Sequence, residues 1–133
     1  MRLKHGACTD VGLLRVTNED AYSADAELFI VADGMGGHNA GEVASALAVT
    51  TMKSGARNGL TEPSQFRELV QQANTAIYTA SLDDSAQSGM GTTVTALAVL
   101  PGEEPRVMVA NVGDSRTYVW RNGRLDRISV DHS

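Results

Sequence analysis

The chain has 133 residues and a formal net charge of −5, enough length for one small domain, and its acidic balance argues against a general nucleic-acid or anionic-membrane surface, which would need an excess of Lys and Arg. Cys8 is the only cysteine, which excludes an intramolecular disulfide and leads us to expect a reducing, cytoplasmic location. No run approaches the ~18 apolar residues of a membrane span, so we expect no membrane segment in this chain.

Three strands are predicted before the first helix, over residues 3–9, 20–24 and 26–32. Alternation is weak in the first strand, whereas β-branched Ile30 and Val31 favour a strand packed on both faces in the third. A hairpin through Asp25 should join the second and third strands. The third strand then stops at Asp33, where a glycine-rich loop begins that runs to His38.

Two helices are predicted next, the first over residues 39–57 and the second opening at residues 61–63 and continuing through residue 80. Asn39 and Glu42 have the spacing of a capping box, in which Asn39 would accept from the first-turn amides. Pro63 is tolerated in the first turn of the second helix. The apolar residues of that helix follow helical spacing closely, at Phe66, Leu69, Val70, Ala73, Ile77 and Ala80.

Four strands are predicted after the helices, over residues 94–100, 106–112, 115–121 and 124–130. Asn122-Gly123 between the last two is the strongest hairpin signal in the sequence. Strands, then a pair of helices, then more strands indicate an antiparallel α+β architecture with the helix pair covering one face of the sheet.

The residues alone indicate a candidate metal site. Asp20 is the first residue of one predicted strand, and Asp33 directly follows the last residue of the next. A tight hairpin between these strands would place both carboxylates at the same edge of the sheet. A hard divalent cation would relieve their repulsion, and oxygen-only ligands suit Mg²⁺ or Mn²⁺ rather than zinc. Gly34 has no side chain, so its backbone carbonyl could approach the same ion.

Further residues around this edge carry charge. Asp114 is another acid at a predicted strand end, and Arg15 could clamp a phosphoryl group through two hydrogen bonds. Each has a plainer interpretation: a strand-end Asp is often a turn former or cap, Arg15 a solvated surface charge, and His38 a loop residue or a contact at the helix start. Spacing alone therefore supports a divalent-metal site at a sheet edge and no specific reaction.

At these residues the chain resembles the type 2C (PPM) metal-dependent protein serine/threonine phosphatases in their bacterial form. Five blocks in chain order carry the resemblance: Thr9-Asp10-Val11-Gly12 with Arg15 and Asn18-Glu19-Asp20-Ala21; Val31-Ala32-Asp33-Gly34-Met35-Gly36-Gly37-His38; Gly89-Met90-Gly91-Thr92-Thr93; Asn111-Val112-Gly113-Asp114-Ser115-Arg116; and Asp131-His132-Ser133.

The resemblance implies a fold and a metal centre. The family fold is an antiparallel β-sandwich flanked by helix pairs. Asp33 would bridge two Mn²⁺ or Mg²⁺ ions, and the Gly34 carbonyl would ligate one of them. Asp20 would hold a metal largely through water, supported by Glu19, and Asp114 matches the acid beside a weaker third metal site.

The resemblance also implies a mechanism without a phosphoenzyme. A metal-bound hydroxide would attack phosphorus in line while the cations and Arg15 neutralise the phosphoryl oxygens. His38 is a further candidate, as the general acid for the leaving alkoxide.

The resemblance covers only part of the family's catalytic domain. We expect residues 1–133 to be the N-terminal portion of a single phosphatase catalytic domain, because the later Ser-Asp-Gly and Asp-Asn blocks of the family are absent and with them metal ligands and strands of the sandwich. The isolated chain should then be weakly active or inactive, and prone to dimerise through open sheet edges.

The leading hypothesis is a phosphatase of phosphoserine and phosphothreonine proteins that opposes protein kinases in a bacterial signalling system. An alternative is a non-catalytic half-domain or pseudophosphatase that binds a partner without turning it over. A third interpretation, a metal-dependent hydrolase of small phosphate esters, uses the same residues and differs only in substrate preference.

Overall fold

A computed structural model describes residues 3–132 of the chain, so Ser133 of the last motif block lies outside the described residues. Its helices and strands are β1 (Asp20–Ala24), β2 (Leu28–Met35), α1 (Ala40–Gly55), α2 (Pro63–Asp83), β3 (Gly91–Thr92), β4 (Val94–Leu100), β5 (Arg106–Val112), β6 (Tyr118–Arg121) and β7 (Arg124–Arg127). A short 3₁₀ turn, Ser85–Gln87, follows α2.

One antiparallel sheet dominates the molecule. Its strands run in the order β1-β2-β4-β5, and the two-residue β3 extends the pairing of β2 at its far end. The strands β6 and β7 form a separate hairpin. The predicted antiparallel α+β class is confirmed.

The helix pair covers one face of the main sheet, as predicted. Along β2 the side chains alternate, with Leu28, Ile30 and Ala32 buried on the helix side. They form one core with buried residues of both helices, among them Met52 of α1 and Phe66 of α2. Helix α1 contacts β1 and β2, and α2 packs mainly on α1.

The other face of the sheet is open. It forms a depression of about 780 Å³ whose lining includes Tyr22, Phe29, Val31, Thr95 and Arg116. Val31, near the middle of β2, is 49% exposed. Among the described residues, no second layer covers this face.

The later strands were predicted well. Residues 94–100 and 106–112 form β4 and β5 with the predicted bounds. Asn122 and Gly123 both have positive φ, 54° and 77°, as a two-residue hairpin turn requires. The strands beside that turn are shorter than predicted. The Thr117 carbonyl still accepts from the Ile128 N–H at 3.0 Å, but the Thr117 N–H donates to the Ser129 hydroxyl oxygen at 2.9 Å rather than to a backbone carbonyl.

Two predictions at the start of the chain are wrong. Residues 3–9 form no strand, because the segment runs along the open face without a backbone ladder to any neighbour. Strand β2 continues through Met35 instead of stopping at Ala32, because β3 pairs with Gly34 and Met35.

The predicted capping box of α1 is also wrong. Asn39 is the N-cap, but it adopts a left-handed conformation with φ 66° and makes no side-chain cap bond. That conformation differs from the extended one from which a side chain reaches the first-turn amides. The capping box lies on α2, between Glu62 and Gln65, with Pro63 in the first turn as predicted.

Neither α1 nor α2, nor any other helical segment within residues 3–132, is long and apolar enough to cross a membrane.

Candidate functional site

Two of the predicted acids meet at one end of the main sheet. Asp20, the first residue of β1, lies directly opposite Asp33 of β2 in the antiparallel register. Directly opposite residues share a face of the sheet. Both are exposed, and Asp33 alternates with the helix-facing residues of β2, so the pair lies on the face away from the helices.

The pKa of Asp33 is raised above its ordinary value. Partial burial of its carboxyl is the largest cause, followed by the charge of Asp20, a hydrogen bond with the Asp20 side chain and the charge of Asp114, while Arg15 acts in the opposite direction. Negative charge on its neighbours disfavours ionisation of Asp33. A divalent cation would remove the repulsion, and oxygen donors suit Mg²⁺ or Mn²⁺, so the residues present fit such an ion.

Glu19 links the acid pair to the helix layer. Its carboxylate lies 3.4 Å from the Arg15 guanidinium, between Oε2 and Nη1. Its backbone carbonyl accepts from the Gly34 amide at 3.1 Å and from the Ser45 hydroxyl at 2.6 Å. The Glu19 carbonyl, just before β1, therefore hydrogen-bonds to both strand β2 and helix α1.

Gly34 lies where β2 and α1 approach each other closely. A Cβ atom on Gly34 would stand 1.9 Å from the carbonyl oxygen of Gly41 and 2.7 Å from that of Glu19. A Cβ on Gly41 would in turn stand 2.7 Å from Glu19 Oε1. The sequence suggested a glycine that lets its carbonyl approach an ion, and packing against α1 is an independent reason for glycine here.

The two residues predicted to be catalytic lie on loops. Arg15 precedes β1 and its side chain is 76% exposed, yet its charge lowers the pKa of Asp33. His38 is exposed between β2 and α1, with a left-handed φ of 53°. The described contacts connect Arg15 to the acid pair through Glu19, whereas no ion pair within residues 3–132 involves His38.

Asp114 is a third acid near the pair. It lies in the turn after β5, next to Gly113, which has φ 92°. Its charge reaches Asp33 and contributes to the raised pKa there. Across residues 3–132, however, no three His, Cys, Asp or Glu side chains gather closely enough to hold an ion together. The structure thus pairs Asp20 with Asp33 and leaves Asp114 further away.

Two threonines that sequence reasoning did not assign to the site hold the backbone of Asp33. Its N–H donates to Thr93 Oγ1 at 3.1 Å. Its carbonyl accepts from the Thr93 N–H at 2.9 Å and from Thr92 Oγ1 at 3.0 Å. Both threonines belong to one of the sequence blocks that carry the family resemblance, and that block was the only sign of a role at the site. No local sequence pattern indicates a hydrogen-bond partner 60 positions away.

Comparisons with known proteins identify relatives of this chain. Residues 15–133 match the family model described as protein phosphatase 2C. The serine/threonine protein phosphatase PstP of Mycobacterium tuberculosis is 39% identical over 134 residues, which cover 97% of this chain and 25% of that protein.

Solved structures show the same fold. The PPM Ser-Thr phosphatase MsPP from Mycobacterium smegmatis, in complex with cacodylate, has a TM-score of 0.87 and 36% identity, covering 98% of this chain and 54% of that one. The catalytic domain of PstP in complex with two manganese ions has a TM-score of 0.83 and 38% identity, covering 92% and 53%. This chain therefore spans about half of each solved chain.

Proposed function

Because the chain belongs to the protein phosphatase 2C (PPM) family, we propose that it carries the acid pair of a metal-dependent bacterial phosphatase that hydrolyses phosphoserine and phosphothreonine in proteins. Its substrates would be proteins phosphorylated by bacterial serine/threonine kinases. A cytoplasmic location is part of the proposal, since such kinases use intracellular ATP.

The observation that carries the proposal is the placement of Asp20 directly opposite Asp33 at an exposed sheet edge, with the pKa of Asp33 raised by burial and by its acidic neighbours. The charge of Arg15 offsets only part of the effects that raise the pKa of Asp33, so the acid pair without a metal ion opposes folding. A divalent ion held between the carboxylates turns the same arrangement into a binding site.

Mn²⁺ or Mg²⁺ would supply Lewis-acid charge to the phosphoryl group and lower the pKa of the attacking water. Asp33 would bridge two ions, and the Gly34 carbonyl would ligate one of them. Asp20 would hold an ion through water, with Glu19 supporting it. Asp114 would stand beside a third, weaker ion.

Arg15 would bind the phosphoryl oxygens of the substrate. Its guanidinium makes a single 3.4 Å contact with Glu19, so donors remain available for a bidentate pair with phosphate. His38, exposed on the loop after β2, would donate a ring N–H proton to the leaving alkoxide.

The extent of the match supports a narrower proposal about the domain. The matches cover almost the whole of this chain. This chain, however, spans only a quarter to about half of the length of those relatives. We therefore propose that residues 1–133 correspond to the N-terminal portion of one catalytic domain, and that turnover by the isolated chain is weak.

A second candidate is a non-catalytic half-domain or pseudophosphatase that binds a partner. The observation that favours it is that the described residues gather two acids, and no third ligand, closely enough to hold an ion. This candidate predicts a folded chain with no divalent-metal binding that depends on Asp33.

The test is calorimetric titration with Mn²⁺, together with hydrolysis of a phosphothreonine peptide and of a small phosphate ester. We expect Mn²⁺ to bind the wild-type chain, Asp33→Asn to weaken binding by at least about tenfold, and peptide to be preferred over ester. Asp83→Asn, an exposed acid at the end of α2, is the matched control. A folded chain that binds no Mn²⁺, or binds it equally well after Asp33→Asn, would overturn the proposal and favour the second candidate, whereas Asp33-dependent binding with little turnover fits the proposed N-terminal portion of a catalytic domain.

Assembly is the last part of the proposal. Strands β1 and β5 are the edges of the main sheet, and the sheet face between them is open. Unpaired edges and exposed apolar faces promote association, so we propose that the isolated chain dimerises through this side of the sheet.

A further inference from the structure

Thr93 lies in one row with the acid pair. In the register of β2 with β3 and β4, Gly34 pairs with Thr92 and Val31 with Thr95, so Thr93 falls opposite Asp33. The row crosses the sheet from Asp20 through Asp33 to Thr93. Thr93 belongs to neither β3 nor β4, so the ladder is interrupted at this one residue.

The interruption has a definite cause. The Asp33 N–H donates to the Thr93 side-chain oxygen at 3.1 Å rather than to a backbone carbonyl. The Thr93 carbonyl accepts instead from the hydroxyl of Thr92 at 2.9 Å. At Asp33, a side-chain oxygen thus replaces a backbone carbonyl as the acceptor of the amide hydrogen bond, so the Thr93 hydroxyl contacts the backbone of the residue that lies opposite Asp20.

The same side chain reaches the turn that carries Asp114. Val94 pairs with Val112, so Gly113 lies beside Thr93 across the sheet. A Cβ on Gly113 would stand only 2.7 Å from Thr93 Cγ2, which shows how closely the threonine methyl packs on this turn. The Thr93 hydroxyl also lies 2.5 Å from Ser115 Oγ, on the other side of Asp114.

We propose that Thr93 is a positioning residue that holds the backbone of Asp33 and the turn of Asp114 in a defined relation to each other. One hydroxyl contacts the Asp33 amide and Ser115, and one methyl packs on Gly113. The inference rests on the proposed function, because a defined relation between these acids matters only if they share a divalent-ion site. Side chains that orient ligands typically change metal affinity by about 10- to 100-fold when removed.

The chain contains a matched control two residues away. Thr95 makes a bond of the same kind, 2.7 Å from its Oγ1 to Thr117 Oγ1, on the same face of the sheet but opposite Val31 instead of Asp33. Thr93→Val and Thr95→Val each remove one hydroxyl without changing the shape of the side chain. Thr93→Ser keeps the hydroxyl and removes the methyl.

The first experiment uses the metal-free chain and NMR amide exchange. We expect Thr93→Val to accelerate exchange of the Asp33 amide by about tenfold or more, since its acceptor is gone, and to shift the amide resonances of residues 113–115. Thr93→Ser should restore most of both effects, and Ser115→Ala should shift residues 113–115 while leaving Asp33 protected. Changes confined to Asp33 in Thr93→Val, or no larger than those in Thr95→Val, would refute the coupling.

The second experiment measures Mn²⁺ affinity of the same variants by calorimetry. Thr93→Val should raise the dissociation constant by about 10- to 100-fold, and Thr95→Val and Thr93→Ser by no more than about threefold. Equal affinities for Thr93→Val and Thr95→Val would overturn the positioning role. If the wild-type chain itself bound no Mn²⁺, the proposed function would fail, and the amide-exchange result would still decide whether Thr93 couples the two acids.

Discussion

Asp33 carries an electrostatic penalty in the metal-free fold. Its folded pKa is raised by burial and by Asp20 and Asp114, so ionisation of Asp33 opposes folding. That penalty is absent below the ordinary Asp pKa of about 4, where both folded and unfolded chains are protonated, and is complete above the raised folded pKa. An acid with a raised pKa in this position therefore lowers the stability of the metal-free fold.

We therefore expect Asp33→Asn to stabilise the metal-free chain at pH 7, by up to about 1 kcal/mol after allowance for solvent screening of an exposed group. The gain should disappear near pH 3, and saturating Mn²⁺ should reverse the order of the two proteins, because the proposed Mn²⁺ binding stabilises the wild type more than the weaker-binding variant. Urea unfolding with EDTA or Mn²⁺ measures this. A variant less stable than the wild type at pH 7 in EDTA would contradict the electrostatic account, and Asp83→Asn serves as the control.

Gly34 illustrates a second constraint at the residue scale, and it is steric. Because a Cβ there would lie 1.9 Å from the Gly41 carbonyl oxygen, Gly34→Ala must separate β2 from α1. We expect a loss of about 3 kcal/mol or more in the free energy of unfolding, at the upper end of overpacking effects. Gly37→Ala is the matched control in the same glycine-rich segment, since a Cβ at Gly37 meets nothing within 4 Å. Equal stabilities of the two variants by urea unfolding would show that the strand and helix are not in such close contact.

At the scale of elements, an ion-pair cluster holds the residues after β7 against the turn after β5. Arg116 makes two contacts with Asp131, 3.1 Å from Nε to Oδ1 and 2.7 Å from Nη2 to Oδ2, and Arg127 adds a third at 3.4 Å. Backbone bonds reinforce it, including one from the His132 N–H to the Gly113 carbonyl at 2.8 Å. The last described residues are thus attached to the turn that presents Asp114.

Hydrogen bonding with Arg116 holds the pKa of Asp131 below its ordinary value. A lowered pKa means that the stabilisation is present above about pH 4 and is lost as the pH falls through the folded pKa. We expect Asp131→Asn to lower the thermal midpoint at pH 7 and to speed amide exchange of residues 128–132 by about tenfold, with the difference closing in acid. Asp126→Asn, which breaks one exposed contact of 2.7 Å with Arg124, should have little effect. A difference that persists unchanged at pH 3 would rule out the ion pair as its source.

Within residues 3–132, helices cover the main sheet on one side only. The helix layer buries Leu28, Ile30 and Ala32, while the opposite face of β2 leaves Val31 half exposed beside a wide depression. An exposed apolar face of this kind is unusual in a monomer and favours association.

We expect the isolated chain to self-associate in sedimentation velocity as its concentration rises. Val31→Lys should weaken association by at least about tenfold, or 1.4 kcal/mol, because a charge would have to be buried at the centre of the interface. Val43→Lys is the control, since Val43 is 37% exposed on the outer side of α1. A wild-type chain that stays monomeric at every concentration would exclude dimerisation through the open face.

Local pattern was enough for several elements. The β-branched run at Val94–Leu100 and the Asn122-Gly123 turn depend on residues within a few positions of one another, so their structures were predicted with little error. The capping-box prediction for Asn39 was wrong because it used side-chain spacing alone. The backbone of Asn39 is left-handed, where the glycine-rich loop lies close to the start of α1. Residues 3–9 were misjudged because a strand needs a partner, and weak alternation does not supply one.

The amino-acid sequence was sufficient to predict the α+β class and the pairing of Asp20 with Asp33, because a tight hairpin places the start of its first strand beside the end of its second. The position of Thr93 between Asp33 and the turn of Asp114, and the close packing of Gly34 on Gly41, became visible only in the folded chain. Thr93 is 60 positions from Asp33 and 22 positions from Ser115, and the Gly34 contact joins a strand to a helix. Such contacts depend on strand register and on the distance between the sheet and the helices, which no local sequence pattern specifies.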